Sequence, residues 1–311
     1  MPAPAVPRRE VDGIVLLDKP EGLTSNAALQ RVRRAFRARK AGHTGSLDPL
    51  ASGLLAVCLG QATKACGFLL DADKTYRFRL ALGSRTSTGD RAGETVDTAP
   101  VPPLEPDRVR AIAASFLGES TQVPPMYSAL KHEGERLYRL ARAGVEVERA
   151  PRRIRIERLN WLGAGDDWLD FEVTCSKGTY VRSLGEDLAR ALGTVGHVAS
   201  LRRTALGPFT GERMQTLEAI EQAAASSGLE GLLLAVDSAL PGLPPIQLTG
   251  VAEASILQGR SVLLAGPGSA QVRMYGVGGK FLGVGRMSAE GARLAPERIM
   301  VELPPSPASR A

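Results

Sequence analysis

A glycine-rich segment that presents one carboxylate is the densest chemical signal in the sequence. Residues 42–64 read GHTGSLDPLASGLLAVCLGQATK, so Asp48 follows a run of glycine, histidine and hydroxyl residues and precedes an apolar stretch. Glycine lets the backbone approach a ligand closely, and a carboxylate presented there is a candidate nucleophile. The structural alternative is that Asp48 simply closes a turn, because Asp-Pro is a frequent turn pair.

The other candidate side chains share a chemical type although they are scattered along the chain. Tyr76 lies on a predicted strand, Asp90 lies in a polar loop, and Tyr180 and Arg182 follow a later predicted strand. A carboxylate, two tyrosines and an arginine would suit a site that grips an extruded nucleobase and attacks it with Asp48. Tyrosines more often fill cores, and an arginine is more often a surface charge. Spacing alone does not show that these residues meet.

The cysteine and histidine content argues against metal chemistry. The three cysteines form no CxxC pair, and the three histidines show no HExxH spacing. We therefore expect no disulfide framework and no metal site. Apolar runs fall short of the ~18 residues of a membrane span, and the N-terminus lacks a secretory pattern, so we expect a cytoplasmic protein that does not bind membranes.

Basic residues are concentrated in two places. The chain carries 39 Lys and Arg against 33 Asp and Glu, a net charge of +6. The sequence has no acid between Glu21 and Asp48, where six basic residues fall within positions 31–40, and five arginines lie between Arg149 and Arg158. Two such clusters favour contacts with nucleic-acid phosphates, with an ordinary solvated surface as the alternative.

Hydrophobic periodicity predicts an α+β fold. The predicted strands cover residues 13–18, 74–83, 154–162 and 168–175, the last two as a pair across a turn. One predicted helix begins at Thr24 or Ser25. Three others cover residues 107–117, residues 181–192 and an acidic stretch near 215–240. Residues 84–103 are polar and rich in Pro and Gly, which predicts a long loop.

The length of 311 residues predicts two domains. The segment PGLPP at 241–245 marks the boundary, and short β-prone pieces separated by glycine follow it. We expect four parts: an unstructured start over 1–10, a catalytic domain over 11–240, a small β-barrel over 245–303 and an unstructured tail over 304–311.

Several long motifs in a fixed order resemble the TruB family, the bacterial tRNA pseudouridine-55 synthases. The strongest is residues 42–64, and the others are VLLDKPEGLTS, DKTYRFRLALGSRTSTG, PPMYSALKHEGERLYRLARAGVEV, CSKGTYVR and the triplet LRR at 201–203. They cover nearly all of residues 13–215. The resemblance implies a pseudouridine synthase catalytic domain with a mixed, mainly antiparallel sheet, followed by a small PUA-like RNA-binding β-barrel whose own sequence match is weaker.

The resemblance also implies a role for each matching position. Asp48 would be the catalytic aspartate and Arg182 its ion-pair partner. The residues implied to hold the target base are His43, Tyr76, Tyr180 and Leu201. Those implied for the surrounding polar network are Lys19, Lys64 and Asp90.

The implied reaction is the isomerisation of uridine 55 in the T-arm of tRNA by a monomer. It needs no metal, cofactor or guide RNA, and residues 124–147 fit the stand-alone enzymes better than the guide-dependent ones. Whether Asp48 attacks C6 of the uracil or acts at the sugar stays open. Two other hypotheses stay open as well: a non-catalytic protein that binds RNA and helps it fold, a role also compatible with catalysis, and a synthase acting on another RNA.

Overall fold

The computed structural model describes residues 7–128, 130–226 and 228–302. Its strands are β1 (Gly13–Lys19), β2 (Ala41–His43), β3 (Ser52–Leu59), β4 (Lys74–Leu82), β5 (Ser84–Thr86), β6 (Thr95–Thr98), β7 (Gly118–Gln122), β8 (Lys131–His132), β9 (Glu135–Arg136), β10 (Arg152–Ala164), β11 (Trp168–Cys175), β12 (Gly196–Leu206), β13 (Phe209–Thr210), β14 (Pro245–Gln247), β15 (Val262–Leu263), β16 (Gln271–Tyr275), β17 (Phe281–Met287) and β18 (Arg293–Ile299). Its α-helices are α1 (Ser25–Ala35), α2 (Cys66–Asp71), α3 (Pro106–Ser115), α4 (Leu137–Arg142), α5 (Val181–Ala191), α6 (Leu217–Ala225) and α7 (Gly250–Leu257).

A mixed sheet of nine strands forms the main body. Seven strands lie in the order β1-β3-β12-β4-β11-β10-β7, with β2 beside β3 and β13 beside β12. Every pair is antiparallel except a short parallel contact between β12 and β3. The α+β prediction with a mixed, mainly antiparallel sheet is therefore confirmed.

The central strand β4 shows why the sequence alternates. Phe78 points into the core and is 2% exposed, whereas Arg77 and Arg79 lie on the opposite face. Those two arginines form ion pairs with Glu172 and Asp170 of the neighbouring strand β11. The period of two thus places apolar residues inside and paired charges outside, as the sequence predicts.

Helix α1 begins where the capping signal places it. The Thr24 side chain accepts a hydrogen bond from the backbone N–H of Ala27, which satisfies one of the free donors of the first turn. Ala28, Leu29 and Val32 recur on one face and are buried in the main core. This packing fixes the helix beside the strands that lead to Asp48.

Some elements, among them β3 and β12 of the main sheet, were not predicted, and the structure differs from the prediction in three further segments. Residues 84–103 are not one long loop, because β5 and β6 form a short hairpin there. Among its described residues, the acidic stretch near 215–240 contains only the nine-residue helix α6 and two 3-10 turns. In the C-terminal part, α7, β14 and β18 were not predicted. Short polar hairpins are held by backbone hydrogen bonds, so they leave little trace in apolar periodicity.

The C-terminal sheet is small and packs against the main body. Its five strands lie in the order β14-β16-β17-β18-β15. Val284 of β17 and Met300, which follows β18, share an apolar cluster with Leu16, Leu54 and Leu240 of the preceding part of the chain. The small sheet is therefore joined to the main body by a common core.

The N-terminal residues that the structure describes contact the residues that directly follow α1. The Arg9 side chain donates to the carbonyl of Phe36 at 3.0 Å, and Glu10 forms an ion pair with Arg39. Residues 1–6 of the predicted unstructured start and the predicted tail 304–311 lie outside the described residues. No helix within the described part of the chain is long and apolar enough to cross a membrane.

Candidate active site

An ion pair between Asp48 and Arg182 lies at the centre of the candidate site. The Arg182 Nε is 2.9 Å from the Asp48 Oδ2. The two side chains differ in accessibility, since Asp48 is 40% exposed and Arg182 only 4%. The carboxylate can therefore be reached by a substrate while its partner remains inside the protein.

The loop between β2 and β3 presents Asp48. Its backbone carbonyl accepts a hydrogen bond from the N–H of Ala51, so Asp48 closes a turn, while its side chain stays available for the ion pair. The preceding residue, Leu47, is held by Ser25 at the start of α1. The Ser25 hydroxyl accepts a hydrogen bond from the N–H of Leu47 at 2.7 Å and donates one to the Leu47 carbonyl at 3.0 Å. Asp48 thus closes a turn and still presents its carboxylate, which is compatible with both interpretations of this residue.

Arg182 lies in the first turn of α5, and hydrogen bonds to two backbone carbonyls hold its side chain. Its two terminal nitrogens donate to the carbonyls of Thr88 at 2.8 Å and Tyr127 at 2.7 Å. The carboxylate of Asp90 lies 3.7 Å from its Nε and accepts hydrogen bonds from Thr88 Oγ1 and the N–H of Ala92. The guanidinium is therefore fixed in orientation and bridges two carboxylates.

Neighbouring strands bring Tyr76 and Leu201 to the same site. Tyr76 lies on β4 and Leu201 on β12, and the pairing of these strands sets Leu201 opposite Phe78, two positions from Tyr76 on the same face. Burial raises the pKa of the Tyr76 hydroxyl, the Arg203 guanidinium opposes the rise, and the nearby Asp48 carboxylate adds to it. Tyr76 therefore lies within electrostatic reach of the catalytic candidate.

Tyr180 approaches from the residue that precedes α5. Its N–H donates to the Gln122 Oε1 at 2.8 Å, and the Gln122 Nε2 donates back to its carbonyl at 3.2 Å. Burial raises the pKa of its hydroxyl, and the charges of Arg182 and Asp48 also act on that pKa. The structure thus places both tyrosines near Arg182 and Asp48, which their spacing in the sequence did not establish.

Lys19 ends β1 beneath the site and is completely buried. Its ammonium donates to the carbonyls of Pro20 at 2.8 Å and Leu23 at 2.7 Å. Burial lowers the pKa of Lys19 to about 8, and the Asp48 carboxylate opposes that shift. Lys19 therefore belongs to the charged surroundings of Asp48.

His43 lies at the end of β2, on the segment that leads to Asp48. Burial and the Arg203 guanidinium lower the pKa of His43, which favours the neutral imidazole. Its Nδ1 is buried and has no hydrogen-bond partner among the described residues. A neutral ring at this position fits contact with an uncharged nucleobase.

Lys64 lies elsewhere in the fold. Its ammonium donates to the carbonyl of Ile299 at 2.7 Å, and Arg298 donates back to the Lys64 carbonyl at 2.9 Å. The charged groups that act on the pKa of Lys64 are Lys40, Asp12 and Arg298, whereas those that act on Asp48 are Arg182, Asp90 and Lys19. The structure thus places Lys64 at the junction with the C-terminal sheet rather than in the network around Asp48.

Burial and charge act in opposite directions on the Asp48 carboxyl. Protein atoms enclose Asp48 enough that burial raises its pKa above the usual range, and the Asp90 carboxylate adds to the rise. Arg182 opposes it by charge and by hydrogen bonding, as does Lys19 by charge. The result is a carboxylate that is poorly solvated yet paired, an arrangement suited to a nucleophile or a base.

Two buried basic residues were missed as site residues by the sequence reasoning. Arg203 is 1% exposed and Lys74 is 7% exposed, although both look like surface charges in the sequence. Burial, followed by the charge of Arg203, lowers the pKa of Lys74 to about 8. The signal that could have found Arg203 is its position two residues after Leu201 on one strand, which sets both on the same face.

The first basic cluster is mostly engaged within the protein. Arg31 makes a two-pronged ion pair with Glu221 at 2.8 and 2.9 Å, and Arg33 and Arg37 donate to backbone carbonyls. Arg39 pairs with Glu10. These contacts correct the expectation that the whole face of α1 is available for phosphates.

The second basic cluster is partly available. Arg152 and Arg153 are exposed, and no carboxylate of the described residues lies within 4 Å of either guanidinium. Arg152 is close enough to the Tyr180 hydroxyl to influence its pKa. This part of β10 therefore offers positive charge beside the site.

Within the described ranges, no group of three or more His, Cys, Asp or Glu side chains is arranged to hold a metal ion.

Comparison with known proteins identifies the family. Residues 33–181 match the model of the TruB family pseudouridylate synthase N-terminal domain. Residues 182–241 match the tRNA pseudouridylate synthase B C-terminal domain, and residues 244–300 match the C-terminal model of pseudouridine synthase II TruB.

Whole-chain relatives agree with the family models. Two proteins named tRNA pseudouridine synthase B are similar to this chain. The one from Nitrosococcus oceani is 48% identical over 94% of this chain and 96% of that protein, and the one from Aromatoleum aromaticum is 52% identical over 94% of each. A chain in the crystal structure of a Cbf5-Nop10-Gar1 complex shares the fold, with a TM-score of 0.71 and 24% identity over 93% of this chain and 85% of that one. The chain belongs to the TruB family of pseudouridylate synthases.

Proposed function

We propose that this chain isomerises uridine 55 in the T-arm of tRNA to pseudouridine, with Asp48 as the catalytic group. The observation that carries the proposal is the 2.9 Å pair between exposed Asp48 and buried Arg182, flanked by Tyr76 and Tyr180. The relatives named tRNA pseudouridine synthase B, similar over nearly the whole chain, support the substrate. Because bacterial tRNA is modified in the cytoplasm, the proposal includes that location.

The reaction breaks the bond between N1 and C1′ of uridine, turns the base and rejoins it through C5. It involves no net oxidation and no transfer to a second molecule, so side chains alone can carry it. Asp48 would act as a nucleophile at C6 of the base, as a nucleophile at C1′, or as a base at the ribose. The Arg182 guanidinium would keep the carboxyl ionised and aimed in each case.

The tyrosines and Leu201 would hold the base after it leaves its stack. Unstacking a base costs a few kcal/mol, and contacts with aromatic and apolar side chains offset that cost. Tyr76 and Leu201 come from adjacent strands, and Tyr180 comes from the start of α5. His43 would occupy space next to the extruded nucleotide.

The domain division follows from the same proposal. Residues 11–240 would form the catalytic domain, and residues 245–303 a PUA-like domain that contacts RNA. The second sheet begins with β14 at Pro245, the last residue of the proline-rich boundary, which supports this division. We further propose that the chain acts as a monomer without a guide RNA.

Position-resolved mapping of pseudouridine tests this function. The purified chain is incubated with an unmodified tRNA transcript in EDTA, without guide RNA or cofactor. We expect pseudouridine at position 55 and at no other uridine. A matched transcript with cytidine at position 55 should give no product. Conversion at a different uridine, or conversion only after a metal or guide is added, would contradict the proposal.

A further inference from the structure

The guanidinium of Arg203 is buried without a counter-charge in the described part of the chain. Its side chain is 1% exposed and is the largest fully buried side chain of the described residues. No carboxylate of the described residues lies within 4 Å, and its Nε donates instead to the Leu54 carbonyl at 2.6 Å. Burying a cation costs stability unless hydrogen bonds compensate for the lost water, so the groups around Arg203 must hold it firmly.

The partners of Arg203 belong to the segments that build the active site. A second nitrogen of the guanidinium donates to the Gly45 carbonyl at 3.0 Å, three residues before Asp48. Gly45 has a φ of +71°, so this turn of the catalytic loop uses a backbone conformation that glycine adopts readily. Arg203 thereby ties β12 to β3, through Leu54, and to the loop that presents Asp48.

Arg203 also faces Tyr76. The two residues are directly opposite in the pairing of β12 with β4, and opposite residues of an antiparallel pair have their Cβ atoms about 4.5 to 5.5 Å apart on one face. The positive charge of the guanidinium also opposes the rise in the pKa of the Tyr76 hydroxyl. One guanidinium therefore donates to the loop of Asp48 and lies beside Tyr76, the residue expected to stack on the base.

We propose that Arg203 is a positioning residue of the isomerisation, which fixes the Tyr76 hydroxyl and the Gly45 carbonyl so that Tyr76 and Asp48 face the same base. This inference rests on the proposed function. Arg203 is buried and acts through Tyr76 and the loop rather than on the RNA. Its loss should therefore slow turnover without weakening substrate binding.

The test is a double-mutant cycle between Arg203→Lys and Tyr76→Phe. Lysine keeps the charge but lacks the planar fork that reaches several acceptors at once. We expect Arg203→Lys to lower kcat about tenfold with KM changed less than about twofold. In the Tyr76→Phe background, where the hydroxyl is absent, the same substitution should lower kcat less than about threefold, because coupled residues are not additive.

A merely structural arginine gives a different result. In that case Arg203→Lys would reduce kcat by the same factor with or without the Tyr76 hydroxyl, which would overturn the proposal. An increase in KM at unchanged kcat would overturn it too. If Arg203→Lys does not fold, Tyr76→Phe alone decides, because the ring is retained: kcat must fall several-fold, and an unchanged kcat would contradict a role for the positioned hydroxyl.

The neighbouring arginine provides the matched control. Arg202 lies on the opposite face of β12, is 41% exposed and pairs with Asp18 at 2.8 Å. We expect Arg202→Lys to change kcat less than about twofold and to show no coupling with Tyr76→Phe. Wild-type turnover at position 55 in the same assay tests the proposed function, while the ratios among the variants test Arg203, so the two failures are distinguishable.

Discussion

The Asp48 carboxylate depends on a neighbour that is far less accessible than Asp48 itself. Asp48 is partly exposed, whereas Arg182 is buried and donates to Thr88 and Tyr127 as well. A guanidinium fixed from several sides cannot follow the carboxylate if the loop moves, so it sets the position that Asp48 must adopt. Charge and geometry at the site are therefore determined together.

Replacement of Arg182 by alanine should affect folding and catalysis together. The variant leaves the carboxylates of Asp48 and Asp90 without their counter-charge and two backbone carbonyls without their donor. Breaking a buried pair costs about 3 to 5 kcal/mol, and because Asp48 is partly exposed we expect a loss of about 3 kcal/mol. Urea unfolding measures the loss. The matched control is Arg190→Ala, an exposed arginine paired with Asp187, which should cost less than about 0.5 kcal/mol. A variant at position 182 with wild-type stability and turnover would refute this role.

Lys19 gives the free energy of unfolding a specific dependence on pH. The folded chain releases its proton near pH 8, whereas the unfolded chain holds it up to the ordinary pKa of 10.5. Between these values the unfolded state binds more protons, so this group makes the free energy of unfolding rise with pH, by at most about 1.4 kcal/mol per unit. The contribution is lost as pH falls through 8.

The Lys19→Met variant tests that dependence. The difference in stability between wild type and variant should grow in favour of wild type from pH 8 to pH 10, as measured by chemical denaturation at each pH. Lys177→Met replaces a lysine that is 63% exposed and serves as the control. A pH-independent difference for Lys19→Met would show that the ammonium is not desolvated as the structure indicates.

The residue types in the sequence indicated what chemistry the candidate site could do, but they did not show which residues belong to the site. Asp48, Tyr76 and Arg182 could be selected as candidates, because a carboxylate, an aromatic ring and a guanidinium suit base extrusion. Their meeting depended on family resemblance, since they come from different elements. Arg203 could not be selected by type, because a buried arginine and a surface arginine look the same until the strand pairing is known.

At the scale of elements, the contact between β3 and β12 aligns the two halves of the site. β3 follows the loop of Asp48, and β12 carries Leu201 and Arg203. Gly53 permits their close approach: it has a φ of +97°, and a Cβ there would lie 2.2 Å from the Arg203 carbonyl. Only glycine fits such a contact without displacing backbone.

Gly53→Ala should therefore separate the two strands. We expect a loss of at least about 2 kcal/mol from backbone strain and the clash, with a reduced kcat in the folded fraction. Thermal unfolding measures the loss. The control is Gly67→Ala in helix α2, where a Cβ meets nothing within 4 Å, so that stability should stay constant or rise by up to about 1 kcal/mol. Equal stability of the two variants would contradict the close-approach argument.

Elements with strong periodicity were predictable, and those without it were not. Strand β4 alternates and helix α1 has a cap and an apolar stripe, so the bounds of β4 and the start of α1 were predicted to within one residue. Helix α7 has no clear apolar stripe, and its sequence GVAEASIL lies among glycine-separated β-prone pieces. The hairpin of β5 and β6 depends on backbone pairing that side-chain patterns do not record.

At the scale of the whole molecule, net charge is a weaker guide to RNA binding than the pairing of each charge. In the basic cluster at 31–40, two arginines pair with acids elsewhere in the chain, Arg31 with Glu221 of α6 and Arg39 with Glu10. Arg152 is exposed beside Tyr180. The RNA-facing charge should therefore concentrate at β10 near the site.

The salt dependence of tRNA binding separates the two surfaces. Each phosphate contact contributes about 0.9 to the slope of log K against log salt concentration. Arg152→Ala should weaken binding and reduce the slope by about 1. Arg31→Ala, whose arginine is occupied by Glu221, should leave the slope nearly unchanged. Filter binding at several salt concentrations measures both, and the reverse order would place the RNA on α1.

The Asp48→Asn variant tests the central claim most directly. The amide keeps the size of the side chain but removes the charge and the nucleophilic oxygen, and Asp187→Asn, a partly exposed aspartate on α5, serves as the control. Both variants are assayed for pseudouridine at position 55 of an unmodified tRNA and for tRNA affinity. We predict that Asp48→Asn forms no pseudouridine while its Kd for tRNA stays within about threefold of wild type. Pseudouridine formed by Asp48→Asn at the wild-type rate would contradict the account.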